Sequence, residues 1–114
     1  MFVINGIAWD IRFVPLYDSN LMRSNGTYTF GMCDGNTNTI YIADKLNQDF
    51  TERILCHELT HAVCFSWNIS IPIETEEWLC NFMSDHGKEI IYLLDDLLNN
   101  LCKTYKNIYS PHAL

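Results

Sequence analysis

His57-Glu58-Leu59-Thr60-His61 sets two imidazoles four residues apart, with a carboxylate directly after the first. On an α-helix that spacing puts both rings on one face, where two neutral nitrogens can share one zinc ion. Glu58 borders the same face, placed to take a proton from water that the metal activates. A zinc site open to water normally has three protein ligands, so a third is needed. Extension to H-E-x-x-H-x-x-G-x-x-H is excluded, because Cys64 and Trp67 stand where that pattern needs glycine and histidine. A glutamate from a following helix is the other source, and Glu74, Glu76 and Glu77 lie 13 to 16 residues beyond His61. Glu77 is preferred. Cys80, Asn81 and Ser84 follow it on one helical face and are small enough to let two helices approach, whereas Glu76 is followed by bulky Leu79 and Met83.

Two helices must carry these groups. Residues 50–67 read as the first, with Asp49 and Glu52 as a capping pair and Leu55, Leu59, Ala62 and Ser66 along one face. His57, His61 and Cys64 fall on the other side. Pro72 suits the first position of a second helix reaching about Leu101, with Glu74, Glu76 and Glu77 near its positive end and Gly87 as a weak point. Because Glu77 lies opposite the Leu79, Met83, Ile90, Leu97 stripe, this helix is expected to be buried on two sides. The N-terminal half has strand character. Residues 2–5 and 7–14 flank Asn5-Gly6 as one hairpin, and residues 28–30 and 39–42 flank a turn near Asp34-Gly35-Asn36 as another. The expected architecture is α+β: a small antiparallel sheet packed on two main helices, within a single domain over residues 1–101, with residues 102–114 a frayed tail.

With 14 acidic against 7 basic side chains, the formal net charge of -7 argues against nucleic acid or an anionic membrane surface as partner. No apolar run approaches the length of a membrane span, and the start lacks the basic flank of a secretory signal. Five cysteines, an odd number without a C-x-x-C pair, argue against a disulfide framework, so a reducing cytoplasm is the expected location, the host's if the chain is phage-encoded.

Residues 39–84 resemble the thermolysin-like zinc peptidases called gluzincins, and especially the short ImmA/IrrE-type metallopeptidases of phages and mobile elements. The resemblance rests on His57-Glu58-Leu59-Thr60-His61 and on Glu77-Trp78-Leu79-Cys80-Asn81, which matches a family pattern of glutamate, two variable residues, a small residue and Asn or Asp. It implies zinc as the cofactor, Glu77 as the third ligand, and Asn81 hydrogen-bonded to the far nitrogen of a ligating histidine. It also implies that the strand before the zinc helix has an exposed edge, where Ile40, Tyr41 and Ile42 accept a peptide or protein substrate as an added strand. Glu58 then acts as general base and passes its proton to the leaving amine. For the oxyanion, Tyr28, Tyr41, Tyr92, His86 and His112 have no spacing that singles one out.

Plainer roles compete for several of these residues. His86 lies within the apolar stripe and is expected to be a core histidine with a hydrogen-bond partner. Cys56 is expected to turn away from the histidine face, Cys64 to be buried, and Cys33 to pack unless it caps the zinc as a latency switch. The leucine-rich residues 90–101 suit a core, a homodimer or another protein partner. A rival to the peptidase is a gluzincin-like zinc domain that serves as an interaction or inhibitor module with little or no peptidase activity. Hydrolysis of something other than peptides also fits the ligand set.

Overall fold

The computed structural model describes residues 1–104. Asn5 and Gly6 take successive positive φ angles of 48° and 76°. A type I′ turn requires this, and it pairs β1 (Phe2–Ile4) antiparallel with β2 (Ile7–Val14), Ile4 opposite Ile7. The second hairpin comprises β3 (Gly31–Asp34) and β4 (Thr39–Ala43). Its first strand therefore lies just beyond the expected residues 28–30, of which Phe30 contributes a carbonyl that accepts from the Ala43 amide.

The α+β class is as expected, but the sheet is mixed, with order β1-β2-β4-β3. β4 runs parallel to β2, Asp10 opposite Thr39 and Val14 opposite Ala43. The 16 residues between β2 and β3 cause this, because they carry the chain across one face of the sheet before the second hairpin starts. Leu21, at the end of a 3-10 turn (Ser19–Leu21), anchors that crossing by full burial beside Tyr41 and Ala43. On the other face Ile40 and Ile42 pack with Trp9 and Ala62. Each fully buried isoleucine of that kind contributes roughly 1.5–3 kcal/mol. β4 is thus covered on both faces and hydrogen-bonded along both edges.

α1 (Gln48–Ser66) starts two residues before the expected residue 50. Asn47 is the cap, its side-chain oxygen accepting from the Phe50 amide at 2.8 Å; a phenylalanine at that third position hides the signature, which relies on Glu or Gln there. The helix ends where Asn68 turns left-handed, φ 53°, and the amides of Asn68 and Ile69 close back on the carbonyls of Phe65 and Cys64. α2 (Ile73–Thr104) starts one residue after Pro72, whose carbonyl accepts from Thr75 and Glu76. It runs unbroken through Gly87 and takes in residues 102–104 of the expected tail; the rest of that tail lies outside the described residues. Gly87 is a contact point: a Cβ there would come within 2.9 Å of Met83 Cε and 3.9 Å of Cys56 Sγ.

α1 lies between the sheet and α2, and α2 packs chiefly on α1. The helices are tied by the Arg53–Asp85 ion pair, by Ser84 Oγ donating to the Arg53 carbonyl at 2.7 Å, and by Lys88 on Glu52 at 3.0 Å. Among the described residues of the chain, the sheet does not cover the second face of α2. Ile90, Leu93, Leu94, Leu97 and Leu101 are exposed. His86, in the same stripe, is therefore not a core residue; its side chain is 53 % exposed beside Glu89. No helix among the described residues is long and apolar enough to cross a membrane.

Candidate metal centre

The middle of α1 faces the first turns of α2 and brings His57, His61 and Glu77 together. His57 Nε2 lies 3.3 Å from one oxygen of the Glu77 carboxylate, and His61 Nε2 lies 2.8 Å from the other. Four-residue spacing sets the two rings 5.1 Å apart, edge towards face. The far side of His61 is held as well: its Nδ1 is 2.6 Å from Glu76 Oε2, a pair largely shielded from solvent.

This arrangement bears on whether a cation fits. If Nδ1–H donates to Glu76, the neutral ring turns a lone pair on Nε2 towards Glu77, and two acceptors face each other across 2.8 Å. Either a second proton or a shared cation relieves that opposition. In a tetrahedral site with ligand bonds near 2.0 Å, neighbouring ligand atoms are about 3.3 Å apart. The His57–Glu77 separation has that value, and the His61–Glu77 contact needs only a small opening. The two contacts use different oxygens of the carboxylate, which leaves Glu77 beside both rings as a candidate ligand.

Cys80 is a further donor. Its sulfur and one ring nitrogen from each of His57 and His61 all lie within 4.8 Å of one another. His57, His61 and Cys80 are the donor group among the described residues whose atoms cluster this closely, while Glu77 touches the two rings through different oxygens. Cys80 is fully buried, and burial first, then the charge of Glu77, pushes its thiol up to about 12.

Glu58 is buried at 7 % exposure beside this group. Burial raises its pKa above the ordinary carboxylate value; the His57 and His61 charges oppose that rise, Glu77 adds to it, and Arg23 opposes it. It lines a cleft of about 880 Å³ that also takes in His57, His61, Glu76 and Glu77. The opposite wall is β3, at the sheet edge. Gly31 permits this closeness, since a Cβ there would meet Ile54 Cγ2 at 2.5 Å and Glu58 Cγ at 3.0 Å.

Four of the expected site residues, His57, Glu58, His61 and Glu77, meet in this cleft. Asn81 does not: it is exposed, and among the described residues it makes no hydrogen bond to either histidine. At about 100° per residue, the face of α2 centred on Cys80 includes Glu76, Glu77 and Ser84 but turns Asn81 away. Glu76, weighed in the sequence only as a rival ligand, holds His61 instead. Ile40, Tyr41 and Ile42 are also misplaced by the sequence reading, because β4 is an inner strand with a neighbour on each side; the edge strands are β1 and β3, and β3 is the one that borders the cleft. Gly31, a glycine among bulky neighbours, was the one local sign of that close approach.

Among the other cysteines, Cys64 is buried, and Cys56 turns to α2, its thiol donating to the Met83 carbonyl at 3.3 Å. Cys33 packs against the core beneath Glu58, and burial, then the Glu58 charge, pushes its thiol up to about 12. Tyr28 and Tyr92 are exposed and Tyr41 is buried, while His112 lies outside the described residues. Arg23, which the sequence did not single out, brings a positive charge to the cleft. No protein-family model matches this chain, and no curated protein or solved structure is significantly similar to it.

Proposed function

We propose that the chain is a zinc-dependent hydrolase of peptide bonds, a minimal enzyme of the gluzincin kind. The observation that carries the reading is the convergence of both histidine Nε2 atoms on the Glu77 carboxylate, at 3.3 and 2.8 Å, with Glu58 buried beside them in an open cleft. His57, His61 and Glu77 are the residues that would hold the ion. When bound, zinc supplies a Lewis acid that polarises a carbonyl and acidifies water.

The remaining work falls to the protein's own groups. Glu58 accepts the proton of the attacking water and delivers it to the leaving amine, and burial favours this by making its carboxylate more basic. Glu76 accepts from His61 Nδ1–H, which fixes the ring and leaves Nε2 free to ligate. The outer edge of β3 has no strand partner among the described residues and borders the cleft, so an extended peptide can add there through main-chain hydrogen bonds. Arg23 offsets negative charge developing on the substrate oxygen.

Metal analysis paired with digestion of a broad peptide library tests the proposal. Wild type should contain zinc and cleave; Glu58→Gln should keep zinc and lose about 10²–10⁴-fold in rate, the usual worth of a general base. Zinc retained by both proteins with cleavage by neither would reject the peptidase and leave the interaction module.

A further inference from the structure

Cys80 occupies α2 one turn after Glu77, with no exposed surface. Its neighbourhood is unusual for a packing residue. The sulfur and two imidazole nitrogens from the facing helix share a space in which no pair is more than 4.8 Å apart. Cys33 and Cys64 border the same region, yet among the described residues neither joins that group. Close helix approach explains why residue 80 is small, but alanine would serve that purpose equally and would bring no donor atom to the histidines.

We propose that Cys80 is a fourth metal ligand, its thiolate joining His57, His61 and Glu77 in a closed shell of two nitrogens, one oxygen and one sulfur in the resting protein. This rests on the metal reading of the site. On coordination the metal replaces the S–H proton, which passes to solvent, and no electron changes hands. Two consequences follow from the donor set. A thiolate favours zinc and similar thiophilic ions over magnesium, calcium or manganese. Four protein groups also fill a tetrahedral shell, as in structural zinc sites, so a peptide seated on β3 gains access to the ion only when one of them lets go.

Cobalt(II) loaded into the metal-free full chain reads the two questions separately. Visible ligand-field bands report a bound ion, and a charge-transfer band in the near ultraviolet reports a thiolate ligand. Wild type should show both; Cys80→Ala should keep the visible bands and lose the ultraviolet one, while Cys33→Ala and Cys64→Ala keep both. Zinc affinity in Cys80→Ala should fall by more than the roughly 10–100-fold that loss of an outer partner costs. Visible bands alone in wild type overturn the Cys80 ligand and leave the metal site standing, whereas no visible band at all overturns the metal site. An ultraviolet band that survives Cys80→Ala also overturns the assignment. Should that variant fail to fold, cadmium-113 resonance of wild type decides: a strong downfield shift supports sulfur ligation, and a shift typical of nitrogen and oxygen donors alone rejects it.

Discussion

Along α2 the contact with α1 is made largely by polar and small side chains, while a run of apolar ones has no neighbour among the described residues. In residues 73–87 the side that meets α1 carries Glu76, Glu77, Cys80 and Ser84, while in residues 88–104 Ile90, Ile91, Leu93, Leu94, Leu97 and Leu101 are between 41 % and 56 % exposed. Length accounts for the difference. At about 1.5 Å per residue, the 19 residues of α1 reach about 28 Å and the 32 of α2 about 48 Å, so about 20 Å of α2 has no helix alongside. The molecule is accordingly long, 57 Å against 31 and 28 Å. Apolar periodicity marks the face a helix would bury; it does not supply the surface to bury it against.

Substitutions in the two halves should separate sharply. Glu77→Ala is expected to have the largest effect, removing zinc and the stability zinc adds, about 4 kcal/mol when free metal exceeds Kd a thousandfold. Melting curves with and without zinc check this, and identical zinc-dependent shifts in wild type and variant would remove Glu77 from the ligand set. Next, Glu76→Gln should weaken zinc binding by about 10–100-fold through loss of the His61 contact, while Asn81→Ala leaves it unchanged. Competition titration with a chelator measures both, and the reverse ranking would restore Asn81 to the role its sequence position suggested.

Glu58→Gln should stabilise the metal-free protein. The folded pKa of Glu58 is raised, chiefly by burial, so the carboxyl is neutral in both folded and unfolded chains at low pH. As pH rises through the folded value, a buried carboxylate becomes a cost. The variant's melting temperature should therefore exceed wild type's at pH 7, and the two should converge near about pH 3. A lower melting temperature for Glu58→Gln at pH 7 would show that the ionised group is favourably held. The smallest effect belongs to the far half of α2, where Leu97→Ala should stay within about 0.5 kcal/mol of wild type, as exposed positions do. A loss of several kcal/mol in a denaturant titration would mean that this half is covered in solution.

Much of the site was readable because its geometry is local. Four-residue spacing on one helix brings His57 and His61 together wherever that helix lies, and Glu58 follows by adjacency. The Asn5-Gly6 hairpin is legible for the same reason. Asn81 and Glu76 were confused because each lies on the correct turn of α2, and only the rotation of α2 against α1 separates them. The strand at the cleft was mistaken because the resemblance, and no local pattern, made β4 an edge, while its pairing with β2 joins residues almost 30 positions apart.

Residue order alone determined an α+β chain with two imidazoles, a following carboxylate and a later glutamate on consecutive helices. It could do so because helical and hairpin geometry depend on neighbours within a few positions. Tertiary structure alone decided which strand borders the cleft, which glutamate steadies His61, that Cys80 reaches the histidines, and that the leucines of the far half of α2 stay exposed. Each of those depends on how separately formed elements cross and how far they overlap, which no short stretch of residues encodes.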